Sequence, residues 1–184
     1  MFGYHRSTTV GSLLRGSVAG MIGGAAGAWM MNNFHETARS KQPARSRAAA
    51  PAGSAAPKST GRHHNGGEQP TVQVAQAISR NLFDHELGGR EKKIAGPAVH
   101  FGYGMLVGGL YGALAEVWPN VKIGMGMGYG MALWALGHEA ALPMLKLAPS
   151  PLDEPPHEHA DQLSAHICYG LTLDCVRRLA KWFL

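Results

Sequence analysis

The sequence predicts an all-α protein that crosses a membrane about four times as a glycine-striped helical bundle. Three observations carry that prediction. Polar residues are concentrated between His35 and Lys93, while the rest of the chain is rich in Gly, Ala, Met and Leu with isolated charges. Glycines recur every four residues on successive apolar segments. The ionisable residues inside those segments gather toward one side once the spans alternate in direction. A length of 184 residues fits one domain, and the near-zero mean hydropathy averages two different materials.

Segment one is 16–34, GSVAGMIGGAAGAWMMNNF, which carries no charge and with Gly11 to Leu14 approaches the ~20 residues a span needs. A secretory signal is its rival, because Ala26-Gly27-Ala28 fits a small-x-small cleavage site. The apolar run continues through Trp29, Met30 and Met31, which favours a retained helix, so 1–37 is taken as the N-terminus and first span.

Residues 38–70 lack hydrophobic periodicity and are rich in Arg, Pro, Ala and Ser, a composition too poor in apolar area to offset ordering entropy. They are expected to be a disordered basic loop. From 71 to 93 helical spacing returns in Val72, Val74, Ala75, Ile78, Leu82 and Phe83, with Gly88-Gly89 as a stop. This is expected to be an amphipathic surface helix and linker.

The region 94–184 holds the other spans: Ile94 to about Trp118, about Ile123 to Leu147, and about Gln162 to Leu184. Pro119-Asn120 is a short turn that makes segments two and three antiparallel neighbours. Pro149-Ser150-Pro151 and Pro155-Pro156 break the chain before segment four. Gly16, Gly20 and Gly24, then Gly104, Gly108 and Gly112, then Gly124/Gly128 and Gly126/Gly130 form small-xxx-small stripes that let backbones approach closely. For GMGMGYGM at 124–131 a glycine-rich loop is the alternative. A weak internal repeat suggests two copies of a two-helix unit: Trp29 and His35-Glu36 against Trp134 and His138-Glu139, and H-x-x-Y-G at His100 and at His166.

Alternating direction puts His35, Glu36, His100, His138, Glu139 and His166 toward one side, with Asp174 deeper. An ionisable residue inside a span is costly unless it meets a partner or a wet cavity, so Glu139, His138, Asp174, His100 and His166, with Tyr103 and Tyr169, are the functional candidates. They suit a proton relay or pH sensor, since imidazole changes charge near neutrality. The packing candidates are Gly20, Gly24, Gly104, Gly108 and Gly112.

Two alternatives stay open: a transition-metal site in a membrane metalloenzyme, resting on convergence of separate helices, and a scaffold without chemistry. No cofactor is predicted beyond that metal alternative. No G-x-S-x-G, P-loop or Rossmann fingerprint supports an enzyme. The net charge of +5 suits anionic lipid, and no aromatic-interleaved basic patch supports nucleic acid. Expected partners are the lipid bilayer, further copies of the chain or other membrane proteins. Cys168 and Cys175, two turns apart on one helix face, are read as small apolar residues. Eleven of the 17 Lys and Arg share the histidine side, which the positive-inside rule places in the cytoplasm. Arg177, Arg178 and Lys181 pull the other way.

The stretches AGPAVHFGYGMLVGGLYGALAE, GYGMALWALGHEAALP with LAPSP, and HADQLSAHICYGLTLDCVRR together resemble the YagU-like family of bacterial inner-membrane proteins. The resemblance spans roughly 12–36 and 71–180, and the polar insert at 38–70 departs from it. It implies a multi-pass inner-membrane protein of largely unknown biochemistry with a link to acid tolerance. It carries over no catalytic residue.

Overall fold

The structure, a computed structural model, describes residues 9–41, 70–145, 150–153 and 155–184. All regular structure among them is helical. Helix α1 (Val10–Lys41) starts at Thr9, whose hydroxyl accepts the Ser12 amide at 3.2 Å as an N-cap. It runs past both limits of segment one, so 38–41, expected in the disordered loop, are helical; 42–69 of that loop lie outside the described residues.

Helix α2 (Pro70–Phe83) ends where Asp84 takes a positive φ of 48°, and the chain doubles back. Ser79 Oγ donates to His85 O at 2.8 Å, and Gln76 Oε1 accepts the Leu87 amide at 3.2 Å, which fixes the corner. Helix α3 (Gly89–Val117) follows, beginning five residues before segment two. Glu91 Oε2 accepts the Gly88 amide at 2.6 Å, tying down one of the orphan donors at its start. Gly96 of α3 admits Val72 of α2, so the two helices form a hairpin.

A 3₁₀ turn (Pro119–Lys122) leads to three consecutive left-handed residues, Gly124, Met125 and Gly126, with φ of 69°, 55° and 85°. Helix cannot continue through them. Segment three therefore starts at Met127 rather than Ile123, and the glycine-rich run is divided between a turn and helix α4 (Met127–Leu133). α4 passes directly into a π-helical stretch (Trp134–Ala141) and a last turn, Leu142–Met144. Pro143 accounts for the widening: its ring would strike the carbonyl four residues back, at Glu139, and it has no N–H to offer that carbonyl.

A short 3₁₀ turn (Pro151–Asp153) precedes helix α5 (Pro156–Ala180). Pro156 at its first position and Glu158 in its first turn favour a helix start there, six residues before the expected Gln162.

The four long helices alternate in direction. Gly16, Gly20 and Gly24 of α1 face Gly112, Gly108 and Gly104 of α3 in antiparallel order, so closely that a Cβ on any of them would press into the partner helix. α1 also lies against α5, with Gly23 on Leu173 and Gly27 on Tyr169, and α5 lies against α4 through Gly170 on Gly126 and Gly130. The close backbone approaches thus run α2, α3, α1, α5, α4. α3 and α4, expected as neighbours because a short turn joins them, are not among those pairs. They meet through side chains, where Tyr129 Oη donates to Val107 O at 2.7 Å and its ring lies 4.9 Å from that of Tyr111.

Candidate functional site

The ionisable residues of the bundle fall into two groups at opposite ends. At one end the π-helical stretch carries His138 and Glu139 toward the first turns of α5. Glu139 Oε1 lies 2.9 Å from His159 Nδ1 and 3.4 Å from His138 Nδ1. His159 Nε2 reaches Pro151 O at 3.0 Å. The His138 ring stands edge-on to that of His166 with centroids 6.2 Å apart, and His35 and His100 are within electrostatic range of His166. His166 is anchored on its own helix, its Nδ1 2.8 Å from Gln162 O. His100 Nε2 and Trp134 Nε1 are enclosed and make no hydrogen bond.

The other end is built from Asp174, Arg177, Glu116, Lys181 and Arg178. Asp174 is fully buried and Arg177 nearly so, and their ion pair measures 2.9 Å. Arg178 takes the second Asp174 oxygen at 2.7 Å, and Glu116 on α3 meets Arg177 at 3.5 Å and Lys181. The Arg177 guanidinium sits 5.6 Å over the Tyr111 ring, and the buried Tyr111 hydroxyl faces Asp174 without completing a hydrogen bond.

The residues expected to form one cluster are therefore divided. His100, His138, Glu139 and His166 come together, with His35, while Asp174 lies two turns beyond His166 and spends both oxygens on arginines. Such saturation marks a structural ion pair rather than a free acid. Tyr169 is buried and donates to Gly104 O at 2.7 Å, whereas Tyr103 is half exposed beside Gly137.

One member of the histidine end was not among the expected candidates. His159, ahead of the expected start of segment four at Gln162, lies on α5 and holds the shortest contact to Glu139. The signal was present: a proline at the first helical position, followed by an acid, would have started α5 at Pro156.

Among the described residues no three His, Cys, Asp or Glu are positioned to hold a metal ion together. Glu139 makes its histidine contacts through one oxygen at hydrogen-bonding distances, which is the geometry of proton sharing.

A family model described as "Protein of unknown function (DUF1440)" matches residues 56–175. The chain belongs to that family. No curated protein and no solved structure matches it. The matched residues of this DUF1440 chain include α2, α3, α4 and most of α5, with His100, His138, Glu139, His159, His166 and Asp174 among them. α1, which contributes His35 and the facing glycines Gly20 and Gly24, precedes the match. Among the described residues one helix, Gly89–Val117, is long and apolar enough to cross a membrane.

Proposed function

We propose that this DUF1440 member is a four-span protein of a bacterial inner membrane whose histidine-rich end senses pH, acting in acid or envelope stress. The observation that carries the membrane reading is an inverted distribution of polarity. Asp174 and Arg177 are buried in the bundle, while Leu106 and Leu136 are each 70% exposed and Val18, Ile22, Trp29 and Leu110 also face outward. Scattered surface leucines are ordinary in water, but apolar outer faces on α1, α3 and the π-helical stretch around a charged interior suit lipid. The glycine stripes are spent on contacts within one chain, so the proposal puts lipid against the outer faces. The YagU-like resemblance supports the inner-membrane location and the acid connection.

Sensing is favoured over conduction because Tyr169 and Tyr129 commit their hydroxyl protons to the carbonyls of Gly104 and Val107. Those residues lie between the histidine end and Asp174, and a relay needs donors free to turn. The scaffold reading keeps the glycine contacts and gives the histidines no role.

The test uses purified protein in lipid nanodiscs and in proteoliposomes. In a Trp29→Phe, Trp118→Phe, Trp182→Phe background, Trp134 emission should change between pH 5 and 8, because Trp134 lies on the π-helical stretch that carries His138. The change should disappear in a His166→Ala, Glu139→Gln double variant, and proteoliposomes should show no proton flux above bare lipid. An emission independent of pH would favour the scaffold; flux abolished by Glu139→Gln would replace sensing by conduction.

A further inference from the structure

Both ring nitrogens of His159 face oxygen acceptors. Pro151 O, 3.0 Å from Nε2, can only accept, so Nε2 must carry a proton. A carboxylate also only accepts, so the 2.9 Å contact between Nδ1 and Glu139 Oε1 needs a second proton, on Nδ1 or on the carboxyl oxygen. In either placement the pair holds one proton more than a neutral imidazole beside a carboxylate. Without that proton the ring can serve one of the two oxygens and leaves the other facing a lone pair.

We propose that Glu139, His159 and the Pro151 carbonyl form a proton-binding site whose occupancy fastens the 3₁₀ turn Pro151–Asp153 to α5 and to the π-helical stretch of α4. This names the loading group of the pH-sensing end and so rests on that reading. Three features place the first proton here. Glu139 contacts both His159 and His138 through one oxygen, and its nearer imidazole is His159. The π-helical widening at Pro143 changes the direction in which Glu139 projects, toward α5. The His138 and His166 rings lie 6.2 Å apart and His35 and His100 are within electrostatic range of His166, so each further proton is opposed by the charge already loaded. On its own helix His159 is flanked by Glu158 and Asp161, which also favour a cation.

The experiment places a spin label at Leu152→Cys, a 95% exposed position in the 3₁₀ turn, in a Cys168→Ala, Cys175→Ala background in nanodiscs. The label should be immobile at pH 5.5 and become mobile as pH rises to 9. His159→Gln should leave it mobile throughout. Glu139→Gln, whose amide N–H can donate to an unprotonated Nδ1 while Nε2–H keeps Pro151 O, should hold the label immobile across the whole pH range. A pH-independent wild-type spectrum, or a transition that survives His159→Gln unchanged, overturns the proposal. Trp134 emission from the unlabelled protein with Trp134 as its one tryptophan separates the two ideas: if it titrates while the label does not, pH sensing stands and this site falls.

Discussion

Replacing Gly108 by alanine puts a methyl group where α1 and α3 already touch. The new Cβ would lie 2.7 Å from Gly24 Cα and overlap Gly20 O, whereas ordinary contact begins at 3.4 Å. Relief by translation means parting the helices by more than the 0.7 Å that separates 2.7 from 3.4 Å, because the overlap with Gly20 O is closer still. A gap of that size forfeits a quarter to a half of the dispersion energy of each atom pair along the stripe. The cost is about 1–3 kcal/mol, against which alanine's better helix propensity returns up to about 1 kcal/mol. Gly102, on the same helix, has nothing within 4 Å of where a methyl group would sit, so Gly102→Ala gains the propensity without the overlap. Reversible unfolding in mixed micelles, followed by helical circular dichroism, should rank Gly102→Ala at or above wild type and Gly108→Ala below it. Equal stabilities for the two variants would refute the account of α1 against α3.

Further outcomes follow from the charged end, the tyrosines and the start of α3. Asp174→Ala leaves the buried Arg177 guanidinium with only the longer Glu116 contact as a counter-charge and should cost about 3 kcal/mol, much of it recovered when Arg177→Met is added; both are read from the same unfolding curves. Tyr169→Phe removes the hydrogen bond to Gly104 O and should cost about 1 kcal/mol while leaving the pH response of Trp134 intact. Glu91, ahead of the proposed span, is held below the usual carboxylate range first by the Gly88 amide and then by His85. A lowered folded-state value stabilises above the ordinary range and is lost as pH falls through it, so protection of the Gly88 amide, its exchange measured against the intrinsic rate at each pH, should fall on acidification below about pH 4, and Glu91→Ala should show little protection at every pH.

Much of the bundle was legible because its contacts follow periodicity. The spacing of Gly16, Gly20 and Gly24 and of Gly104, Gly108 and Gly112 marks the faces that meet, and span alternation gives the direction of each helix. Neighbour order was not legible. A short turn at Pro119-Asn120 requires α3 and α4 to be near, but it does not say that α1 and α5 will insert their glycine faces between the two backbones. The register of α4 was hidden by Gly124 and Gly126, which suit helix packing in lipid and left-handed turns equally well. Grouping Asp174 with the histidines overlooked a local signal: Arg177 and Arg178, three and four residues on, are its natural partners on one helix. His159 was missed because the start of α5 was set by hydropathy rather than by Pro156 and Glu158. The π-helical stretch that aims Glu139 has no periodic signature, and Pro143 alone hints at it.

The central claim is that the apolar outer faces meet lipid while charge is enclosed, and spin-label accessibility tests it most directly. Labels at Leu106, Leu110 and Leu136 in bilayers should collide readily with oxygen and rarely with a water-soluble nickel complex, with a label at Leu152 as the aqueous reference. Nickel accessibility at the three leucines equal to that at Leu152 would contradict the account.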